Sequence, residues 1–338
     1  MKKLTLFILL LATQSWAADP ISFTGDFRVR EQYQKQEADA AARNRFRLRM
    51  RLAGMAGIDD QTKVNVRLAT GATTEPRSNN QTLEDSFAKP GIVLDYAFIE
   101  HSPINGLTVL AGKMKNPIWN PTDVFAGVLW DADLTPDGVA LAWKSTGNES
   151  FLNAGYFVLD EIGKTDPLSP YLIALQPGIH WEPMESIAAK TAVEFYWAGN
   201  VKGRVLPNSA KTNSTTVDFY PVILVSEFKF PMIKAIGEIG FNGGASSENK
   251  LGLIGLVFGN ENWQGKIQYS YIQKDAWLDI LPDSDALGGI TDIQGFRIGA
   301  KFVLSKASAF DITYYSMNRI SAASNRDSLI QVDLSTKF

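Results

Sequence analysis

The chain of 338 residues contains no cysteine, only two histidines, and no charge excess worth the name: 33 Lys+Arg stand against 36 Asp+Glu, a net charge of −3. The missing cysteine removes disulfide scaffolds, thiolate catalysis and cysteine zinc sites together. Near-neutral charge gives no footprint for nucleic acid, whose phosphates call for a basic excess. Long apolar runs are missing too. After the N-terminus nothing approaches the roughly 18 consecutive apolar residues of a membrane helix, which excludes a helical multi-span protein. A membrane barrel stays open, because its strands alternate and average to neutral hydropathy; the mean hydropathy is −0.08.

What is present begins with a leader. Lys2 and Lys3 form a positive n-region, LTLFILLLA an apolar h-region of nine residues, and Ser15-Trp16-Ala17 a small-x-small cleavage site. The expectation is a signal peptide over residues 1–17, an exported mature chain over 18–338, and a net charge of −5 once two lysines are removed.

Period two then runs through the mature chain. In NRFRLRMRLAG, Phe46, Leu48, Met50 and Leu52 take one face and Arg45, Arg47, Arg49 and Arg51 the other. Phe23, Phe27, Val29 and Tyr33 alternate with Asp26, Arg28 and Arg30, and Val64, Val66 and Leu68 with Lys63, Asn65 and Arg67. Sixteen such segments are expected, at 21–34, 44–58, 62–70, 92–101, 107–113, 138–145, 150–159, 171–182, 186–197, 217–230, 233–242, 250–259, 263–274, 294–304, 308–317 and 327–338. The connections between them alternate long and short. An even strand count with tight turns on one rim and longer loops on the other describes a transmembrane β-barrel. The fold class is therefore all-β, a 16-stranded antiparallel transmembrane barrel forming one domain, with no linker or repeat to mark a second.

Energy decides which face meets lipid. One arginine on the lipid side costs on the order of 2–4 kcal/mol at the midplane, so four in a strand would cost roughly 8–16 kcal/mol, comparable to a whole domain's stability. The ladder must face the lumen. Neighbouring rungs lie about 6.6 Å apart and repel by roughly 2.5 kcal/mol at an effective dielectric of about 20, against about 0.6 kcal/mol in water. A dry interior would need an acid beside every rung, so a water-filled lumen is expected.

The third long connection, MKNPIWNPTDVFAGVLWDADLTPD (114–137), carries Asp123, Asp131, Asp133 and Asp137 with no base after Lys115. Folded inward, it would set carboxylates opposite a basic wall of Arg28, Arg30, Arg45, Arg47, Arg49 and Arg67, with Trp119, Phe125 and Trp130 anchoring it by apolar burial. Opposed rows across a narrow aqueous gap orient water and penalise apolar solutes. As an external loop, the same aspartates would only cap turns.

The stretches FTGDFRVREQ, RNRFRLRMRL, VRLATG, LDYAFIEHSP, AGKMKNPIWNP and DADLTPDGVALAW resemble the family of putative porins of Gram-negative outer membranes; they fall within about the first 145 residues. The last strand, with Ile330, Val332, Leu334 and Thr336 at alternate positions before Phe338, is similar to the signal read by the barrel insertion machinery. The resemblance implies a passive pore, a homotrimer in outer-membrane lipid, a third loop inside the barrel, and a constriction role for Asp123, Asp131, Asp133 and the arginine ladder. It departs from enteric porins in lacking PEFGG in that loop.

The expected function is general diffusion of ions and small hydrophilic solutes, without cofactor, metal or enzymatic activity. An outer-membrane lipase needs a histidine beside a serine with an orienting group, whereas His101 falls at a tight turn and His180 stands apart from it. The alternative is a substrate-selective anion or phosphate channel, which an arginine ladder also suits. A purely structural barrel would show no conductance.

Overall fold

A computed structural model describes residues 21–36, 41–121, 128–163, 168–322 and 326–338. The leader and Asp123 and Phe125 lie outside the described residues. The strands are β1 (Ser22–Lys35), β2 (Arg43–Gly57), β3 (Thr62–Thr70), β4 (Gln81–Thr82), β5 (Ile92–Ile104), β6 (Leu107–Lys113), β7 (Asp137–Lys144), β8 (Ser150–Val158), β9 (Tyr171–Met184), β10 (Ile187–Gly199), β11 (Pro221–Lys229), β12 (Ile233–Asn242), β13 (Lys250–Gly259), β14 (Trp263–Ile272), β15 (Ile293–Val303), β16 (Ser308–Arg319) and β17 (Arg326–Lys337). All sixteen long strands pair antiparallel with their neighbours, and β1 also pairs with β17, which closes the sheet. The seam ends with Gly25 and Phe338 exchanging backbone hydrogen bonds of 2.8 and 3.0 Å. Closure leaves no unpaired edge, the condition for backbone to cross hydrocarbon.

The strand periods read from sequence reappear within a few residues, with local exceptions of identifiable cause. Strand β4 is only two residues, contributed by the long loop 71–91, and covers the part of β2 beyond the reach of the short β3. Strand β11 starts at Pro221 rather than at 217; a proline, having no N–H to give the ladder, suits a strand's first position. Pairing of β9 with β10 skips Gln176 and Pro177, where that donor is again missing.

Side chains alternate as energy requires. Phe23, Phe27, Val29 and Tyr33 of β1 are exposed outward while Arg30 and Gln32 are buried inward. Aromatic side chains including Phe46, Trp143, Trp197, Phe258 and Phe302 stand on the outer face, as in the girdles of membrane barrels. No helix among the described residues is long and apolar enough to cross a membrane; the crossing is by strands.

The buried apolar cluster lies inside the barrel. It joins the third long loop (L3, 114–136) through Met114, Ile118 and Trp130, the seventh (L7, 273–292) through Trp277, Leu278 and Leu281, and wall residues such as Phe157, Leu172, Tyr196 and Ile223.

Candidate functional site

The basic wall is a product of strand register. Across β1 and β2, Arg28 faces Arg49, Arg30 faces Arg47, and Asp26 faces Arg51; across β1 and β17, Arg30 faces Asp333. Like charges directly opposite destabilise a sheet, so the two arginine pairs need acids, and most receive them. Arg30 binds both oxygens of Asp333 at 2.7 and 2.8 Å and Asp285 at 2.8 Å. Asp26 receives Arg49 at 2.8 Å and Arg51 at 2.7 Å. Asp133 of L3 lies 3.6 Å from Arg49 and 3.1 Å from Arg51. Arg28 donates to Asn80 at 2.6 Å and lies 3.7 Å from Asp333.

Of the six arginines that the sequence pattern sets opposite L3, only Arg49 comes within 4 Å of a carboxylate among the described residues of that loop. Arg67 pairs with Asp95, and its guanidinium sits 4.5 Å over the Tyr96 ring. Asp95 owes its position to a register shift: Arg67 faces Tyr96 and Leu68 faces Leu94, leaving Asp95 as the extra residue. The bulge turns two successive side chains inward, and both are buried. Arg45 bonds Gln34 at 3.2 Å, and Arg47 bonds Gln32 at 3.2 Å and the Asn80 carbonyl at 3.3 Å. Among the described residues no carboxylate lies within 4 Å of either. At Arg30, which is only 4% exposed, and at Arg49 and Arg51 paired carboxylates offset the repulsion between rungs; Arg45 and Arg47 have amide and carbonyl partners.

One of those carboxylates, Asp285, comes from a loop that sequence reasoning passed over. L7 reads QKDAWLDILPDSDALGGITD, and its Asp283-Ser284-Asp285 repeats the Asp131-Ala132-Asp133 spacing of L3. In both, the first aspartate accepts from the backbone N–H of the second, at 2.8 Å in L3 and 3.0 Å in L7, the Asx turn that short carboxylate side chains form. The loops are laced together: Asp131 N donates to the Leu281 carbonyl at 2.8 Å, Asp283 N to the Val128 carbonyl at 3.2 Å, and Ser284 N to the Asp131 carboxylate at 2.7 Å. Trp277 Nε1 donates to the Leu129 carbonyl at 2.7 Å, and Trp130 Nε1 to the Tyr196 hydroxyl at 3.2 Å. Trp119 sits edge-on to Phe151 with ring centroids 6.1 Å apart. A tryptophan within a long acidic loop was the signal shared with L3.

The loop 71–91 completes the assembly. Asn79 N donates to Asp133 at 3.1 Å, and Arg77 donates to the carbonyls of Gly289 at 2.6 Å and Asp279 at 3.3 Å. Gly289 has φ +74°, and a Cβ there would stand 2.5 Å from the Arg77 guanidinium, so position and contact both require glycine.

Each Asp-x-Asp turn holds one carboxylate up and one down. Burial raises Asp131 well above the usual range, reinforced by Asp283 and Asp133. Burial also works on Asp133, but Arg49, Arg51 and Arg28 outweigh it and leave that carboxylate low. In L7, burial and neighbouring Asp285 push Asp283 up to about 6 against the pull of Arg297. Asp285 is held low because Arg30 overcomes its burial. The four enclose, with the wall, a polar cavity of about 240 Å³ whose cationic lining is Arg28, Arg30, Arg49, Arg77, Lys266 and Arg297. Its acids are Asp131, Asp133, Asp283, Asp285, Asp311 and Asp333, equal in number to the bases.

The two histidines lie away from this cavity, His101 Nδ1 at 3.1 Å from the Thr62 hydroxyl and His180 against Phe151. No group of metal-ligating side chains occurs among the described residues.

The sequence profile of the family described as "Putative porin" matches residues 25–225 and 250–338. The chain belongs to this family. No curated protein sequence matches it. Among solved structures it is similar to an engineered variant of Rhodopseudomonas blastica porin, with 13% identity and TM-score 0.58, covering 94% of this chain and 100% of that one. A second Rh. blastica porin variant gives 14% identity and 0.58 over the same shares. A structure described under asymmetric conductivity of engineered proteins gives 14% and 0.60. At these identities the likeness shows the fold, a porin-type β-barrel, and the family makes the chain a porin channel of the outer-membrane class.

Proposed function

We propose that this porin is a general diffusion pore, passing ions and small hydrophilic solutes through a lumen narrowed where L3 and L7 face the β1–β2 wall. The supporting observation is the polar cavity of about 240 Å³ with cations on the wall and the paired Asp-x-Asp turns across from them. Rows of opposite sign across a gap set up a transverse field, which lets polar solutes reorient and holds back apolar ones. The basic row is Arg28, Arg30 and Arg49, with Arg45 and Arg47 beyond them; the acidic row is Asp131 and Asp133 with Asp283 and Asp285. Arg67, tied to Asp95, serves the wall, and Asp123 belongs to the same reading as an L3 acid.

Passage needs no cofactor, energy input or chemical step. The chain is exported by a leader cleaved after Ala17, is inserted into the outer membrane of a Gram-negative cell through its terminal Phe338, and works there as a homotrimer. The test is conductance of the refolded protein in planar bilayers under a KCl gradient. Ohmic channels with modest selectivity carry the reading; absence of conductance from correctly folded barrels overturns it.

One observation favours a second reading, a channel selective for anions or phosphate. Arg45 and Arg47 have no carboxylate within 4 Å among the described residues, and Asp131 and Asp283 are shifted toward their neutral forms. Both tilt the field positive. Phosphate at millimolar concentration would then block chloride current, whereas a general pore is indifferent to it.

A further inference from the structure

On the outer face of strands β11 to β14 the large apolar side chains part around a hollow. The outward row of β12 is Ile233, Ala235, Gly237, Ile239 and Phe241, and that of β13 is Phe258, Leu256, Ile254, Gly252 and Lys250, read off their shared register. Ser226 faces Gly237 across β11, and Tyr271 faces Gly252 across β14. The floor is therefore Ser226, Ala235, Gly237 and Gly252, and the sides are large side chains such as Leu224, Ile239 and Ile254. The hollow measures about 750 Å³. A Cβ at Gly237 would meet nothing within 4 Å, and one at Gly252 only the Glu238 carbonyl at 3.8 Å, so neither glycine is there to let backbones approach. Neither has positive φ. Conformation and packing leave both positions free to carry a side chain, and the missing side chains leave space.

One end of the hollow has a different chemistry. Lys250 opens β13 directly after the loop 243–249, on the long-loop rim, and is exposed. No carboxylate among the described residues lies within 4 Å of its ammonium. The Tyr271 hydroxyl beside it accepts from Gln273 at 3.0 Å and keeps its own proton to donate. From Lys250 to Leu256 is six residue steps, about 20 Å along the strand. At a strand tilt of about 40° this is about 15 Å along the membrane normal, half of a hydrocarbon core of about 30 Å.

We propose that this hollow is a binding site for one membrane lipid of the leaflet on the long-loop side, its acyl chain lying on the Gly237–Gly252 floor and its anionic headgroup held by Lys250 and the Tyr271 hydroxyl. The length fits one leaflet, the lining is that of a hydrocarbon ligand, and the single cation with a hydroxyl donor sits at the headgroup depth. Burial of the chain against apolar walls supplies affinity in proportion to the area covered, and the ammonium supplies preference for a negative head. The inference rests on the barrel spanning a bilayer and is independent of what crosses the lumen.

The experiment is native mass spectrometry of the full-length protein, released from detergent with dipalmitoyl phosphatidylglycerol or dipalmitoyl phosphatidylcholine added. The wild type is expected to retain one phosphatidylglycerol per chain at a concentration at least tenfold below that needed for phosphatidylcholine. Gly237→Leu, which fills the floor, should weaken both lipids at least tenfold with conductance unchanged. Lys250→Gln should abolish the preference and leave phosphatidylcholine binding as it was. Equal retention of the two lipids by the wild type overturns the proposal. So does an unchanged Gly237→Leu, or a loss of oligomer in that variant, which would assign the hollow to a second copy of the chain. Should Gly237→Leu not fold, Lys250→Gln at its exposed strand end decides alone.

Discussion

L3 and L7 are far apart in sequence and near copies in chemistry. Each carries an Asp-x-Asp turn, a buried tryptophan and a short apolar run. The L3 turn sends Asp133 to the arginines and Asp131 to L7, whereas the L7 turn sends both carboxylates to arginines, Asp285 to Arg30 and Asp283 to Arg297. Their partners differ. Asp133 reaches Arg49 and Arg51, while Asp285 reaches Arg30. Two loops thus divide the wall between them, and lumen charge follows from both. The contrast with the sequence reading is direct: that reading gave L3 the whole acidic role.

The largest expected effect comes from removing both wall-facing acids. Asp133→Asn with Asp285→Asn should turn the pore clearly anion-selective, since Arg30, Arg49 and Arg51 lose their loop partners together; unchanged selectivity in a KCl gradient would break the comparison. Next are the wall variants. Arg49→Gln should move selectivity toward cations more than Arg47→Gln does, because it leaves Asp26 and Asp133 short of a partner while Arg47 has no carboxylate to release. Equal shifts in reversal potential would show that ion pairing does not matter here.

A smaller effect separates the two inner acids by pH. Asp283 has its value raised to about 6, above the ordinary carboxylate range near 4. Its neutral form is favoured in the folded loop, so raising the pH through about 6 adds negative charge to the lumen. It also withdraws loop stability, the loss accruing between about pH 4 and 6 and constant beyond. Cation preference should therefore rise from pH 5 to pH 7.5 in the wild type and rise less in Asp283→Asn, by reversal potentials at both pH values. Smallest is Gly289→Ala, which crowds the Arg77 guanidinium and should loosen L7 without altering mean selectivity, visible as increased current noise.

Much of the fold was legible in the sequence because a barrel wall obeys one rule, apolar outward and polar inward at every second residue. Phe46 through Leu52 against Arg45 through Arg51 states that rule openly, and the register follows. What breaks period two could not be seen that way. Asp95 enters the lumen only because a bulge turns it there, and no alternation announces a bulge. L7 escaped because its acids are read against distant arginines: Asp285 and Arg30 are 255 residues apart. The repeated Asp-x-Asp beside Trp277 was visible, but which wall it faces depends on closure of the whole sheet.

The most direct measurement is the reversal potential of Asp285→Asn beside Asp133→Asn, each in a KCl gradient at pH 7.5. If both loops set the charge of the lumen, the two variants shift toward anions by comparable amounts. A shift in Asp133→Asn with Asp285→Asn indistinguishable from the wild type would return the role to L3 alone.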